Sequence, residues 1–285
     1  MRRLHATAAP GLEALDAAIA PDMEVVALAK DVVRDWRVDC ADAARLPWPS
    51  GRVNLITTSP PYNLGLPYAG VDDWLPYGEY LHRVQRWAVE MFRVAADQGR
   101  ACINVPLDTH NGGRHAVYAD WCDAMRWAGW SYRSTIVWTK GGPGHTSNHL
   151  ARGSVDSCHS INVIAGVEMI AVFCKGEWHR DRRGRSSDLT RAEWLEWTDG
   201  VWGFRPLGRR PGLHPSRFPI ELARRCIKLH AFVEDLVADP FVGSGTTLLE
   251  ALALGRRCWA ADLSKTYVAE LHAQLERRDL GQRAA

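Results

Sequence analysis

Leu236-Val237-Ala238-Asp239-Pro240-Phe241-Val242-Gly243-Ser244-Gly245-Thr246-Thr247-Leu248-Leu249-Glu250-Ala251-Leu252-Ala253-Leu254-Gly255 is the stretch whose reading decides the fold. Leu236-Val237-Ala238 is a short apolar strand, Pro240 to Gly245 a glycine turn, and Thr246 to Leu254 a helical run closed by Gly255. Cys258-Trp259-Ala260-Ala261 follows as a second buried strand ending at Asp262. Ser264 can cap a last helix, whose apolar positions Val268, Leu271 and Leu275 recur at helical spacing. Strand, helix and strand of these lengths predict a βαβ unit, which requires parallel strands and a right-handed crossover.

Working outward, Val53 to Thr57 is β-rich and runs into Thr58-Ser59-Pro60-Pro61-Tyr62-Asn63. Two prolines forbid both ladder pairing and helix, so the strand must end there in an extended loop. The pattern then predicts helix over Glu79 to Ala95, strand over Arg100 to Val105, helix over Ala116 to Ala128 and strand over Arg133 to Trp138. This alternation predicts a doubly wound α/β sheet. Between Lys175 and Gly212 the period is lost: nine Lys/Arg, six Asp/Glu and Trp178, Trp194, Trp197 and Trp202 read as an inserted lobe or long loops.

The composition excludes more than it selects. At 285 residues, 46% hydrophobic and 24% charged, the chain can build one large core or a core with a small lobe. Glu13, Asp16 and Asp22 interrupt the segment behind Arg2 and Arg3, and no apolar run nears the roughly 18 residues that span a bilayer, so a cytoplasmic protein without membrane contact is expected. Seven scattered cysteines without a C-x-x-C pair suggest neither a disulfide framework nor a zinc site. His145 and His149 lie in a Gly-rich loop with no carboxylate cluster nearby, so no metal is expected. A net charge of +2 requires any nucleic-acid footprint to be local, and Arg180, Arg182, Arg183 and Arg185 are its candidates beside the reading of a solvated charge run.

Gly243 and Gly245 let the backbone approach a ligand closely, and the following helix offers unpaired N–H groups at Ser244 and Thr246. The dehydrogenase fingerprint would need glycine where Leu248 stands, and Asp239 in front of the turn repels a pyrophosphate while suiting an ammonium. Asp262 is placed to accept from two ribose hydroxyls, or else is a helix-entry carboxylate. A ligand with ribose, a cationic amino-acid tail and no phosphate describes S-adenosylmethionine. In the proline loop, Ser59 and the Pro60 carbonyl can accept hydrogen bonds and Tyr62 can present a ring; the plainer reading is a proline turn with a packed tyrosine. Acceptors gripping the hydrogens of a conjugated amine favour its reactive, pyramidal form, and an aromatic face can stack on a flipped base. Methylation at cytosine C5 needs an activated cysteine nucleophile, which in the family that performs it typically follows a proline; no Pro-Cys dipeptide occurs, so that chemistry is not expected.

Taken together, Thr58 to Asn63 and Asp239 to Thr247 resemble the motifs of the N4-cytosine/N6-adenine DNA amino-methyltransferases of restriction-modification type. Their order, catalytic before cofactor, is similar to the permuted β class, and the resemblance runs from about Asp39 to Leu275. It implies a mostly parallel seven-stranded Rossmann-like sheet, circularly permuted, with helices on both faces. It divides the chain into an N-terminal extension (1–30), a catalytic half (31–174), a target-recognition insert (175–213) and a cofactor half (214–285). Val38 to Asp42 resembles the segment that meets the cofactor adenine, here through Asp39. Val167 to Lys175 resembles a core strand, with Val167 where a histidine usually precedes Glu168. His214-Pro215 to Pro219 resembles a wall of the cofactor pocket.

The implied site has Ser59, Pro60, Pro61 and Tyr62 on the base, and Asp39, His214, Pro215, Asp239, Phe241, Gly243, Ser244, Gly245, Thr246 and Asp262 on S-adenosylmethionine. Ser59 stands where adenine-acting members usually carry Asp and cytosine-acting members Ser, which favours cytosine N4. Leu64 and Tyr68 could fill the space a purine needs. Double-stranded DNA is the implied partner, with a cognate restriction endonuclease and a homodimer as further candidates. Amino-methylation of RNA or protein, and a non-catalytic DNA-binding relative, are the rival readings.

Overall fold

The computed structural model describes residues 36–66, 73–108, 115–140, 161, 163, 165–182, 184–206 and 219–283. Its elements are β1 (Trp36–Cys40), β2 (Val53–Thr58), α1 (Tyr77–Val94), β3 (Ala95–Pro106), α2 (Val117–Trp127), β4 (Ser131–Thr139), β5 (Val167–Cys174), α3 (Arg191–Trp197), β6 (Val201–Gly203), α4 (Ile220–His230), β7 (Leu236–Asp239), α5 (Thr246–Ala253), β8 (Arg257–Asp262) and α6 (Lys265–Arg283). The strands form one sheet in the order β1-β8-β7-β2-β3-β5-β4-β6. β5 runs antiparallel to both its neighbours, and the remaining ladders are parallel.

Strand residues alternate between two apolar layers, as a sheet covered on both faces requires. Ile56, Ala101, Ile103, Phe173 and Ala238 join α1 and α2 on one face. Leu55, Cys102, Ile170, Val172 and Val237 join α4, α5 and α6 on the other. α1 shows why its segment is helical: Tyr80, Val84, Trp87, Ala88, Met91 and Val94 recur three or four apart and are all buried, while the exposed positions are polar. Truncating Met91 to Ala would cost roughly 2–5 kcal/mol in lost transfer energy and cavity formation.

From β7 the chain crosses to β8 through α5 on one face; from β2 it crosses to β3 through α1 on the other. β7 and β2 are neighbours, so their carboxyl ends diverge there and leave a crevice at a topological switch point. The predicted βαβ unit is present, with Leu236 to Asp239 paired in parallel to Arg257 to Ala260. β1 lies outside β8 (Asp39↔Ala261, Cys40↔Asp262), so the first described strand serves the half of the sheet built by the last.

Two expectations need correction. The sheet has eight strands among the described residues, the eighth being β6 at the edge beside β4. Three residues are too few to show a strand period. Nor does the described part of 175–213 form a lobe of its own. Thr190 and Glu193 make a reciprocal capping box that starts α3, Trp197 and Trp202 are buried, and Lys228 of α4 pairs with Glu193 at 2.6 Å. Arg256, 1% exposed, grips both carboxylate oxygens of Asp188 at 2.6 and 2.8 Å. The segment is stitched into the layer that carries α4 and α5.

Candidate active site

The crevice between β7 and β2 opens into a cleft of about 1100 Å³, counted out to solvent. The glycine turn forms one side. Gly243 and Gly245 hold left-handed backbone at φ 48° and 85°. A Cβ on Gly245 would lie 2.3 Å from Leu271 Cδ2, so what approaches closely at that position is α6 and not a ligand. No side chain caps α5, whose first residues Thr246 and Thr247 line the cleft beside Ser244. Helix-start amides without intrahelical partners thus belong to residues at this wall, and such amides favour an anionic ligand group.

Carboxylates at the strand ends favour the opposite charge. Asp262 accepts from the Gly243 amide at 2.9 Å and the Ser264 amide at 2.8 Å, which fixes its rotamer while each oxygen keeps a second lone pair. Asp239, 4% exposed, accepts from Thr58 Oγ1 at 2.6 Å and from the Phe241 amide at 3.0 Å, so it ties the end of β7 to the end of β2. Burial pushes its carboxyl up to about 6, against the opposing effect of the Thr58 bond and with a further push from Asp262. Asp42 also lines the cleft, with its carboxylate steadied by the Ala44 amide at 2.8 Å.

The proline loop forms the facing side, and Ser59, Pro60, Pro61 and Tyr62 all line the cleft. Asp73, 6% exposed, accepts from the amides of Asn63, Leu64 and Leu66 at 3.1, 3.1 and 3.2 Å. The Asn63 side chain brackets Leu75, donating to its carbonyl at 2.9 Å and accepting from its amide at 2.8 Å. Tyr80 on α1 donates to the Pro61 carbonyl at 3.0 Å. Prolines thus stiffen the loop from within, and a buried carboxylate holds it from outside.

Tyr62 is 7% exposed, and its hydroxyl turns into a buried polar cluster. It shares a hydrogen with Ser59 Oγ, lies 3.0 Å from the Asn104 carbonyl and 3.4 Å from Glu168 Oε2, and accepts from Asn104 Nδ2 at 2.9 Å. Asn104 Nδ2 also donates to Glu168 Oε2 at 2.6 Å, and Lys140 pairs with Glu168 Oε1. Asn104 closes β3, Glu168 opens β5 and Lys140 follows β4, so three strand ends converge behind Ser59.

The structure therefore brings together Ser59, Pro60, Pro61, Tyr62, Asp239, Phe241, Gly243, Ser244, Thr246 and Asp262 around one cleft, with Gly245 directly behind its wall. Asp39 is not among the lining residues: its Oδ2 is held by Arg37 and the Trp48 indole, both at 2.7 Å, and Asp42 takes the place on the cleft. Two members of the arginine patch, Arg180 and Arg185, are also corrected. Arg180 is buried, with Nη1 2.9 Å from Asp235 Oδ2, and Arg185 pairs with the other Asp235 oxygen at 3.0 Å. Charges committed to a buried carboxylate are not available to phosphate. Arg182 donates to the Arg185 carbonyl at 2.7 Å. Tyr68, His145, His149, Arg183, His214 and Pro215 lie outside the described residues. Sequence reasoning gave no functional role to Asp73, Tyr80, Asn104 or Lys140, whose partners are distant in the chain, and placed Glu168 only within a core strand.

Residues 53–273 match the N6/N4 methyltransferase family model, described as DNA methylase. The chain is 40% identical over 156 residues to the type II methyltransferase M.MjaVI of Methanocaldococcus jannaschii, covering 55% of this chain and 78% of that one. It is 27% identical over 246 residues to the type II methyltransferase M.HpaI of Haemophilus parainfluenzae, covering 82% and 72%. Among solved structures, a DNA modification methylase of Thermus thermophilus, TTHA0409, in complex with S-adenosyl-L-methionine superposes with a TM-score of 0.61 at 28% identity, over 82% of this chain and 90% of that one. The PvuII cytosine-N4-specific DNA methyltransferase gives a TM-score of 0.62 over 82% and 86%, a likeness of fold at 19% identity.

Proposed function

We propose, for a chain that belongs to the N6/N4 DNA methylase family, that its cleft places S-adenosylmethionine against the exocyclic N4 of a cytosine flipped out of duplex DNA. One observation carries this reading. The Ser59 hydroxyl and the turn from Asp239 to Thr247 face a single cleft and are joined at its base by the Thr58–Asp239 hydrogen bond.

The donor set fits the cofactor. Helix-start amides at Ser244, Thr246 and Thr247 suit its carboxylate, buried Asp239 its ammonium, and Asp262 the ribose hydroxyls; these carboxylates would repel a phosphate. When bound, the cofactor supplies an electrophilic methyl group on sulfur. The chain's own work is positional. Tyr62, held by its hydroxyl, offers a ring that stacks on the extrahelical base. Ser59 and the Pro60 carbonyl accept the amine hydrogens and aim its nitrogen. Asp73 and Tyr80 keep the loop from drifting, where a displacement of about 1 Å can cost roughly 100-fold in rate.

The choice of cytosine rests on Ser59 at the position where adenine-acting relatives usually carry Asp. Mass spectrometry of nucleosides from DNA incubated with enzyme and methyl-labelled cofactor tests it. Label in N4-methylcytosine is expected; label confined to N6-methyladenine refutes the base and leaves amine methylation standing.

A further inference from the structure

We propose that Glu168 holds the proton released by methyl transfer, receiving it through Ser59 and Tyr62. The proposal rests on the reading of the cleft as a site of amine methylation. When the amine nitrogen bonds to the methyl carbon, the carbon–sulfur bond breaks and its electron pair stays on sulfur. The nitrogen is left with one proton too many. Ser59 is the side-chain hydroxyl of the loop that lines the cleft, and a hydroxyl can pass a proton on but cannot keep it.

The buried cluster supplies the rest of the path. Asn104 Nδ2 donates to Tyr62 at 2.9 Å and to Glu168 Oε2 at 2.6 Å, which uses both its hydrogens. The Tyr62 oxygen can then accept from both Asn104 and Ser59, while its own hydrogen has two acceptors in reach, the Asn104 carbonyl at 3.0 Å and Glu168 Oε2 at 3.4 Å, and the relay uses the second. Asn104 Nδ2 also lies 3.4 Å from Ser59 Oγ, but with its hydrogens directed to the closer Tyr62 and Glu168 it leaves the Ser59 lone pairs for the cleft. As Ser59 Oγ takes the amine proton, its own hydrogen passes to Tyr62 and that of Tyr62 passes to Glu168. Both hydroxyls are regenerated, and Glu168 ends as the neutral acid.

Glu168 is suited to hold the charge until then. Lys140 pairs with its other oxygen, and Asn104, Tyr62 and Lys140 face it from β3, the proline loop and the end of β4. The Glu168 side chain is 11% exposed and that of Lys140 31%, so the proton can return to water on the lysine side after product leaves. Glu168 touches neither base nor cofactor in this scheme; it is a positioning residue that acts through Ser59.

A cluster that merely braced three strand ends would predict different behaviour. Single-turnover methylation of DNA by full-length enzyme, followed across pH, separates the two roles, because product release is then excluded from the rate. Glu168→Gln preserves shape but only one of the two acceptor oxygens, so its amide nitrogen must face a donor, Lys140 or Asn104. We expect a somewhat lower melting temperature, unchanged cofactor affinity, a rate lower by about 100-fold, and loss of the acid limb of the profile. Lys140→Met removes the positive partner and is expected to shift that limb, with Lys140→Arg restoring it. A wild-type rate and profile in Glu168→Gln overturns the proposal while amine methylation stands. Should that variant fail to fold, an unshifted limb in Lys140→Met overturns it equally. If the wild-type enzyme modifies no base amine, the parent reading falls and this one with it.

Discussion

Lowering the pH should weaken cofactor binding, and the structure sets by how much. Asp239 is 4% exposed at the end of β7, and its carboxyl is held up at about 6 instead of 3.8, mainly by burial. The displacement of about two units corresponds to roughly 3 kcal/mol against the charged form. An ammonium bound beside it would favour that form and draw the value back toward about 4. Between pH 7 and pH 5 the apparent dissociation constant should then rise about tenfold, with release of about 0.8 proton per cofactor bound at pH 5. Titration calorimetry in buffers of different ionisation enthalpy measures both quantities. 5′-Methylthioadenosine, which lacks the amino-acid tail, should bind with little pH dependence. The folded state without ligand runs the other way: because the native form binds the extra proton, stability falls by roughly 2 kcal/mol as pH rises from about 4 to about 6, and by roughly 3 kcal/mol in all from below to above that window. Asp239→Asn should flatten both dependences and melt higher than wild type at pH 8. A flat profile for S-adenosylmethionine, or an equal slope for methylthioadenosine, refutes the assignment of Asp239 to the ammonium.

Other expectations follow from particular contacts. Arg180→Ala leaves the buried Asp235 carboxylate with Arg185 and the Phe232 amide and without its most buried cation, and should cost about 3 kcal/mol in chemical denaturation, while the salt slope of DNA binding stays unchanged. Gly245→Ala combines a left-handed φ of 85° with a Cβ 2.3 Å from Leu271, so a loss of about 1–3 kcal/mol is expected in the same measurement, larger than for Gly→Ala at an ordinary turn. Asp262→Asn retains one oxygen for the Gly243 or Ser264 amide, so calorimetry should find cofactor affinity reduced at least tenfold with melting nearly unchanged; equal affinity would remove Asp262 from the site.

What could be read from the sequence was what is local along the chain. The turn from Asp239 to Gly245 sits between two apolar strands whose paired residues, Leu236 with Arg257 onward, are 21 positions apart, and two adjacent prolines announce the loop after β2 without any knowledge of its neighbours. The missing parts depend on pairings across long separations. Asn104 and Glu168 are 64 positions apart, and each alone reads as a polar residue in a strand. Arg180 and Arg185 looked like a patch because their shared partner, Asp235, lies some 50 positions later behind a different helix. α3 was legible in principle, since Thr190 and Glu193 have capping-box spacing, but a seven-residue helix flanked by tryptophans shows too little periodicity to be separated from a loop.

The placement of β1 beside β8 also dictates an order of assembly. β1 is synthesised early, yet among the described strands its only ladder partner is complete 222 positions later, and the hydrogen bond from His272 to the Val38 carbonyl spans 234. During translation at roughly 5–20 residues per second, β1 must wait on the order of ten seconds or more for the strand that covers it. Apolar Trp36 and Val38, buried in the finished sheet, are exposed for that interval. The half of the cleft that is first in the chain can form while β8 is still being made, whereas the binding of any small molecule at Asp239 and Asp262 must await closure of the sheet by its last strand.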